Sequence, residues 1–153
     1  MFNRAYFAEH VSEQLEGDIN SGCIFMLDAD RLKQVNDNFG HAEGDRLLQN
    51  IAFVLRKEFR NDDIVARFGG DEFAVFAPGL QDAEEIQRRA ERINKFGRHT
   101  YQTPNDTTIS TSLSIGISRY PLHGEKLGEL LRNADKALYS VKAASRDSYK
   151  IFE

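Results

Sequence analysis

The sequence predicts an α+β sandwich in which helices pack on a sheet, on three observations. Strand-like and helix-like runs alternate along the 153 residues. The short apolar runs Ile64-Val65-Ala66-Arg67-Phe68 and Phe73-Ala74-Val75-Phe76-Ala77 are separated by Gly69-Gly70 and two acids, which reads as a hairpin. Each longer run carries one apolar stripe at helical spacing.

The elements follow in order. Arg4 to about Glu16 has helical spacing in Tyr6, Phe7, Val11 and Leu15. Cys23-Ile24-Phe25-Met26-Leu27, bounded by charge, reads as a central strand buried on both faces, spanning Gly22 to Leu27 and delivering Asp28 to the sheet edge. Asp30 to Asp37 can open a short helix, and Gly44 to Phe59 a long one with Leu47, Leu48, Ile51, Val54, Leu55 and Phe59 inward. After the hairpin, Asp82 to Phe96 is helical, with Asp82 as N-cap and Gly97 as C-cap. Gln102 to Thr107 reads as a polar loop and Thr107 to Ser118 as a strand. Gly124 to about Ala144 is a helix with Leu127, Leu130, Leu131, Ala134, Leu138 and Val141 as its stripe, and Tyr149 to Phe152 adds an edge strand.

Composition narrows the function classes. With 41% hydrophobic and 29% charged residues, the chain is an ordinary single globular domain with room for a core. A net charge of −4 argues against nucleic acid as a partner, since such binding wants a basic face. No apolar run approaches the ~18 residues of a membrane span, and no signal pattern opens the chain, so this segment is expected to make no membrane contact. The single Cys23 lies in an apolar strand, which fits a reducing, cytoplasmic setting.

Two acid clusters carry the chemistry. Asp71-Glu72 follow Gly69-Gly70, where glycines free to take positive φ would make a tight turn and hold the acids at a rigid tip. Asp28 ends the apolar run upstream. If that strand lies beside the hairpin, three carboxylates converge and repel unless a cation neutralises them. Oxygen ligands with no His or Cys nearby favour Mg²⁺ or Mn²⁺ over zinc.

In this order and spacing the motifs resemble the GGDEF domain of the diguanylate cyclases over almost the whole chain. They are Asn3-Arg4, the block Asp28 to Asp45, Arg67-Phe68-Gly69-Gly70-Asp71-Glu72-Phe73, Ala90-Glu91-Arg92-Ile93, Ser112-Leu113-Ser114-Ile115-Gly116, and Ala134-Asp135-Lys136-Ala137-Leu138-Tyr139 leading to Lys142. The resemblance implies a ferredoxin-like palm with a central, mostly antiparallel sheet, shared with nucleotide cyclases and polymerases. It implies condensation of two GTP into cyclic di-GMP with release of pyrophosphate, at an interface between two such domains.

By motif position Asp28, the Ala29 carbonyl, Asp71 and Glu72 would hold the metals, with Asp71 or Glu72 assisting deprotonation. Asn36 and Asp45 match the guanine-reading positions, and acceptor-only Asp45 suits the N1–H and 2-amino donors. His41 lies near that pocket by motif, or caps and packs the helix ahead of Gly44; His10, His99 and His123 match nothing and read as surface residues. Gly69 and Gly70, Lys33, and the pair Lys142 and Arg146, four apart and so on one helix face, would serve the phosphates. Arg60-Asn61-Asp62-Asp63 resembles an inhibitory product site for cyclic di-GMP, with Arg92 as a secondary contact or a solvated residue; otherwise it is a helix-end Arg with an Asx turn.

The chain departs from the family in three ways. Leu32 stands where many members have Phe, and Ser145 and Asp147 flank Arg146 in place of Gly and Asn. The Asp-x-Leu-Thr turn that ordinarily precedes Asn3-Arg4 is absent. No sensory, dimerising or phosphodiesterase segment is present, so residues 1–153 read as one domain excised from a longer protein, whose other parts can include a membrane anchor. The rival reading is a silent module that binds GTP or cyclic di-GMP and regulates an attached domain.

Overall fold

The computed structural model describes residues 1–153. Its elements are α1 (Arg4–Glu16), β1 (Gly22–Asp30), α2 (Leu32–Phe39), α3 (His41–Glu58), β2 (Ile64–Arg67), β3 (Glu72–Pro78), α4 (Ala83–Phe96), β4 (His99–Gln102), β5 (Thr108–Tyr120), α5 (Leu127–Ala144) and β6 (Tyr149–Ile151). The six-stranded sheet runs β2-β3-β1-β5-β4, and β6 adds to β5. All pairings are antiparallel except β5 with β6. Strand β1 is central, and β3 inserts between it and β2. This is the interleaved βαββαβ arrangement of a ferredoxin-like palm.

Alternation along β1 builds two cores. Phe25, Leu27 and Ala29 join Leu47, Ile51, Leu55, Ile86 and Ile93 under α3 and α4. Ile24 and Met26 point the other way, to Phe7, Val11, Leu130, Ala134 and Leu138 of α1 and α5. The same period carries Asp28 and Asp30 onto the α1/α5 face. Helix α5 lies hard on β5: a Cβ at Gly116 would sit 2.1 Å from the Ala134 carbonyl oxygen, so only glycine allows the approach.

Several boundaries move. Strand β1 runs on to Asp30, so Asp28 lies within the strand, paired with Glu72 and Ser114, rather than beyond its end. Helix α3 starts at His41, directly after α2. Strand β4 falls partly in the expected loop. His99-Thr100-Tyr101-Gln102 has no apolar run and is exposed at alternate residues, so only its pairing with the start of β5 defines it. The three unassigned histidines are half-buried, not surface residues. His10 stacks on Tyr6, His99 meets Asn50, and His123 accepts from the Arg119 N–H at 2.9 Å. Asp82 caps α4 as expected, accepting from the Glu84 N–H at 3.1 Å.

Candidate active site

Antiparallel register places Glu72, the first residue of β3, directly opposite Asp28 on β1. Asp71 is tied to the same strand, because the Ala29 N–H donates to its carbonyl at 2.9 Å. One carboxylate oxygen from each of Asp28, Asp71 and Glu72 lies within 4.8 Å of the others. Like charges facing each other across a ladder destabilise it. Burial, chiefly, pushes the Asp28 and Glu72 carboxyls above their usual range, and the neighbouring acids add to the shift.

One cation from the chain answers that repulsion. Lys142 Nζ donates to Asp28 Oδ2 at 2.5 Å, and that bond holds the lysine above its ordinary value. The other oxygen, Asp28 Oδ1, is buried with no hydrogen-bond partner. A buried carboxylate oxygen without a donor is costly, and here it faces two further carboxylates. The donor set is all oxygen, partly charged and clustered, which fits a hard divalent ion such as Mg²⁺ or Mn²⁺.

The turn Phe68–Asp71 presents these acids, by a different device from the one expected. Neither Gly69 nor Gly70 takes a positive φ. Rigidity comes from neighbours: Arg67 donates to the Gly69 carbonyl at 3.2 Å and the Gly70 carbonyl at 2.9 Å. Phe68 is gripped by the Phe7 ring at 5.1 Å and the Arg4 guanidinium at 4.9 Å. A Cβ on either glycine would meet nothing within 4 Å. The chain itself therefore does not require glycine here, and the bare backbone is open to whatever lies above it.

Helices α2 and α3 meet closely at Gly44, the residue before Asp45. A Cβ there would sit 1.7 Å from Asn36 Oδ1, so glycine lets the Asn36 side chain lie against α3 one residue before Asp45. Asp45 borders a cleft of about 440 Å³ with Leu48, Ala52, Phe73 and Arg67. The cleft joins the Gly69-Gly70 turn through Arg67. Lys33 and His41 are exposed. His41 begins α3 without capping it, and Gly40 stands as the N-cap with no side-chain bond. Helix α2 also begins uncapped, at left-handed Arg31.

Lys142 and Arg146 do not share a helix face, because α5 ends at Ala144 and Arg146 takes φ 55°. They converge by another route. Lys142 reaches Asp28, and Arg146 reaches Asp30 Oδ1 at 3.4 Å, two residues along the same face of β1.

At the other end of the hairpin, the Arg60 N–H donates to Asp63 Oδ2 at 2.8 Å, so the Asp63 carboxylate reaches back three residues to close the turn, where an Asx turn would reach forward two. That turn also orients a site: Arg60 and Asp63 line a cavity of about 180 Å³ with Pro78, Leu80, Glu85 and Arg89. Burial pushes the Asp63 carboxyl up. Arg92 is held by Glu58 at 2.6 Å and is not part of the lining; Arg89, 3.8 Å from Asp63, is. The sequence reading missed Arg89, although the stripe Ile86, Ala90, Ile93 puts position 89 beside the buried face. It also missed Arg67 and Asp30. The Asp-x-Asp spacing at the end of β1 was the available signal, since period two puts both acids on one side.

Residues 1–148 match the family profile described as diguanylate cyclase, GGDEF domain. The diguanylate cyclase TpbB of Pseudomonas aeruginosa is 39% identical over 155 residues, which span 99% of this chain and 35% of that protein. The crystal structure of the TpbB GGDEF domain aligns with a TM-score of 0.86 at 39% identity, covering 99% of this chain and 96% of that one. The GGDEF domain of DgcB from Caulobacter crescentus, solved in complex with c-di-GMP, aligns with a TM-score of 0.79 at 25% identity, covering 97% and 90%. The chain thus spans about a third of the length of the curated cyclases it matches. No helix is long and apolar enough to cross a membrane.

Proposed function

The chain belongs to the GGDEF family of diguanylate cyclases, and from that premise we propose that it is a catalytic domain condensing two GTP into cyclic di-GMP and pyrophosphate. The observation that carries the reading is the convergence of Asp28, Asp71 and Glu72 around a partnerless buried oxygen, with Lys142 beside it.

Asp28, Asp71, Glu72 and the Ala29 carbonyl would hold Mg²⁺ or Mn²⁺, which when bound would draw charge from the α-phosphate and ease loss of the 3′-hydroxyl proton. The chain's own residues do the rest. Asp45, which lines the cleft beside α3, and Asn36, which lies against Gly44, read the guanine edge, and acceptor-only Asp45 favours guanine over adenine. His41, at the start of α3, borders this half of the site. The open backbone at Gly69 and Gly70 lets the nucleotide approach closely. Lys33, Lys142, Arg146 and the uncapped start of α2 face the triphosphate. Asp71 or Glu72 accepts the 3′-hydroxyl proton as the oxygen bonds to the α-phosphorus of the facing GTP. The α–β phosphoanhydride bond then breaks and pyrophosphate leaves. The raised carboxyl of Glu72 suits a proton acceptor better than an ordinary one.

One such site holds one GTP, so two domains must meet antiparallel, each supplying half. Cyclic di-GMP would bind back at Arg60 and Asp63, with Arg89 in the same cavity and Arg92 on the adjoining face of α4, and slow the reaction. The domain would work in the cytoplasm as part of a longer protein. Incubation of a dimerised form with GTP and Mg²⁺, with products separated by chromatography, tests the reading. Cyclic di-GMP is expected; GTP bound and recovered unchanged would refute it.

A further inference from the structure

Asp30 is the most enclosed charge in the molecule's catalytic face, and nothing in the proposed chemistry uses it. Its side chain is 0% exposed, yet no oxygen is idle. Oδ2 accepts from Ser112 Oγ at 2.6 Å and from the Asp147 N–H at 3.2 Å. Oδ1 accepts from Ser114 Oγ at 2.8 Å and from the Arg146 guanidinium at 3.4 Å. Buried carboxylate oxygens are costly to leave without donors, and here every one is met.

The donors come from two places that must be held together. Ser112 and Ser114 belong to β5, directly beside the end of β1. Arg146 and Asp147 form the turn that leaves α5, and both are left-handed, at φ 55° and 47°. Two successive non-glycine residues in that region are strained and need their surroundings to hold them. Arg98 clamps the Asp147 carboxylate at 2.8 Å, the Arg146 N–H bonds the Val141 carbonyl at 2.9 Å, and Asp30 takes both the Asp147 N–H and the guanidinium. The Arg146 side chain, 43% exposed, spends one weak contact on Asp30 and makes no other side-chain hydrogen bond, near enough to Lys142 for the two charges to repel.

We propose that Asp30 is a positioning residue: it fixes the Arg146–Asp147 turn against β1, so that the free side of the Arg146 fork and the Lys142 ammonium address one triphosphate. The inference rests on the reading that Arg146 contacts the phosphates of GTP. Asp30 touches no substrate atom and acts through Arg146.

The test measures binding, by calorimetry with Mg²⁺, of a GTP analogue with a methylene bridge between its α- and β-phosphates, and of GMP, which lacks the outer phosphates. Wild type, Asp30→Asn, Arg146→Ala and the double variant are compared. Asp30→Asn is expected to weaken the triphosphate about tenfold, to leave GMP affinity unchanged, and to add nothing in the Arg146→Ala background. If Asp30→Asn does not fold, Ser112→Ala removes the shortest of these bonds and is expected to act in the same direction, again only when Arg146 is present. Equal weakening of GMP and triphosphate, or an effect that persists without Arg146, overturns the positioning role alone. An Arg146→Ala variant that binds the triphosphate as wild type does removes Arg146 from the phosphate site, and this inference with it.

Discussion

Replacing Gly44 with alanine separates stability from nucleotide recognition. The added Cβ would lie 1.7 Å from Asn36 Oδ1 and 2.8 Å from its Cγ, so one side must yield by more than an ångström. The helix gains about 1 kcal/mol from Gly→Ala at an interior position. If Asn36 swings into another rotamer, the strain is about 0.5–1.5 kcal/mol, and the two effects nearly cancel. If α2 moves as a body instead, overpacking costs about 1–3 kcal/mol. Either way the fold survives, while Asn36 leaves its place beside Asp45. If Asn36 reads guanine as proposed, the site then loses a partner, so GTP affinity falls at least about tenfold, roughly 1.4 kcal/mol. Urea unfolding should give a stability within about 2 kcal/mol of wild type, and calorimetry should show weakened GTP binding with less discrimination against ATP. A Gly44→Ala protein that binds GTP with unchanged affinity and selectivity would refute the assignment of Asn36 to base reading.

Other perturbations follow from the same geometry. Asp71→Asn or Glu72→Gln should abolish turnover, a loss of at least several kcal/mol in transition-state stabilisation, and without divalent ions should raise the melting temperature by relieving like-charge repulsion; calorimetric melting that shows Mg²⁺ stabilising these variants as much as wild type would exclude the carboxylates as ligands. Cyclic di-GMP should bind with micromolar-scale affinity, on the order of −8 kcal/mol, and Arg60→Ala should lose it; equal titration heats for the two proteins would remove Arg60 from the product site. Burial and Arg119 hold His123 below its ordinary value, and its Nδ1 accepts the Arg119 N–H only when unprotonated. Its contribution is therefore present above the unfolded value of 6.5 and is lost as pH falls below it, with a slope well under the ~1.4 kcal/mol per pH unit of one full proton because the ring is half-exposed. His123→Asn should flatten the fall in urea midpoints as pH drops below 6.5, and an unchanged slope would count against this.

The long periodic segments were legible because burial dictates their pattern: the stripes of α1, α3, α4 and α5, and the apolar run of β1, all point into the two cores. Asp28, Asp71 and Glu72 could be grouped because the hairpin and the central strand were recognisable separately. What sequence could not give was set by partners distant in the chain. Strand β4 is polar and exists through its pairing with β5. Arg146 depends on how α5 terminates, and spacing of four suggested a helix face that ends before reaching it. Adjacent glycines at 69 and 70 suggest a conformational necessity, whereas neither takes a positive φ and Arg67 holds the turn. Arg89 was hidden because a charged residue beside an apolar stripe ordinarily faces solvent; here Asp63, Glu85 and the Phe59 ring receive it.

The most direct test of the account is specific activity against protein concentration, measured as cyclic di-GMP formed from GTP and Mg²⁺. If each domain supplies half a site, as proposed, activity per molecule should climb with concentration, and fusion to a dimerising helix should raise it by roughly 10²-fold or more through effective concentration. A flat specific activity from a protein that sediments as a monomer would contradict the two-half-site mechanism, and GTP binding without product from either form would show a regulatory module in place of an enzyme.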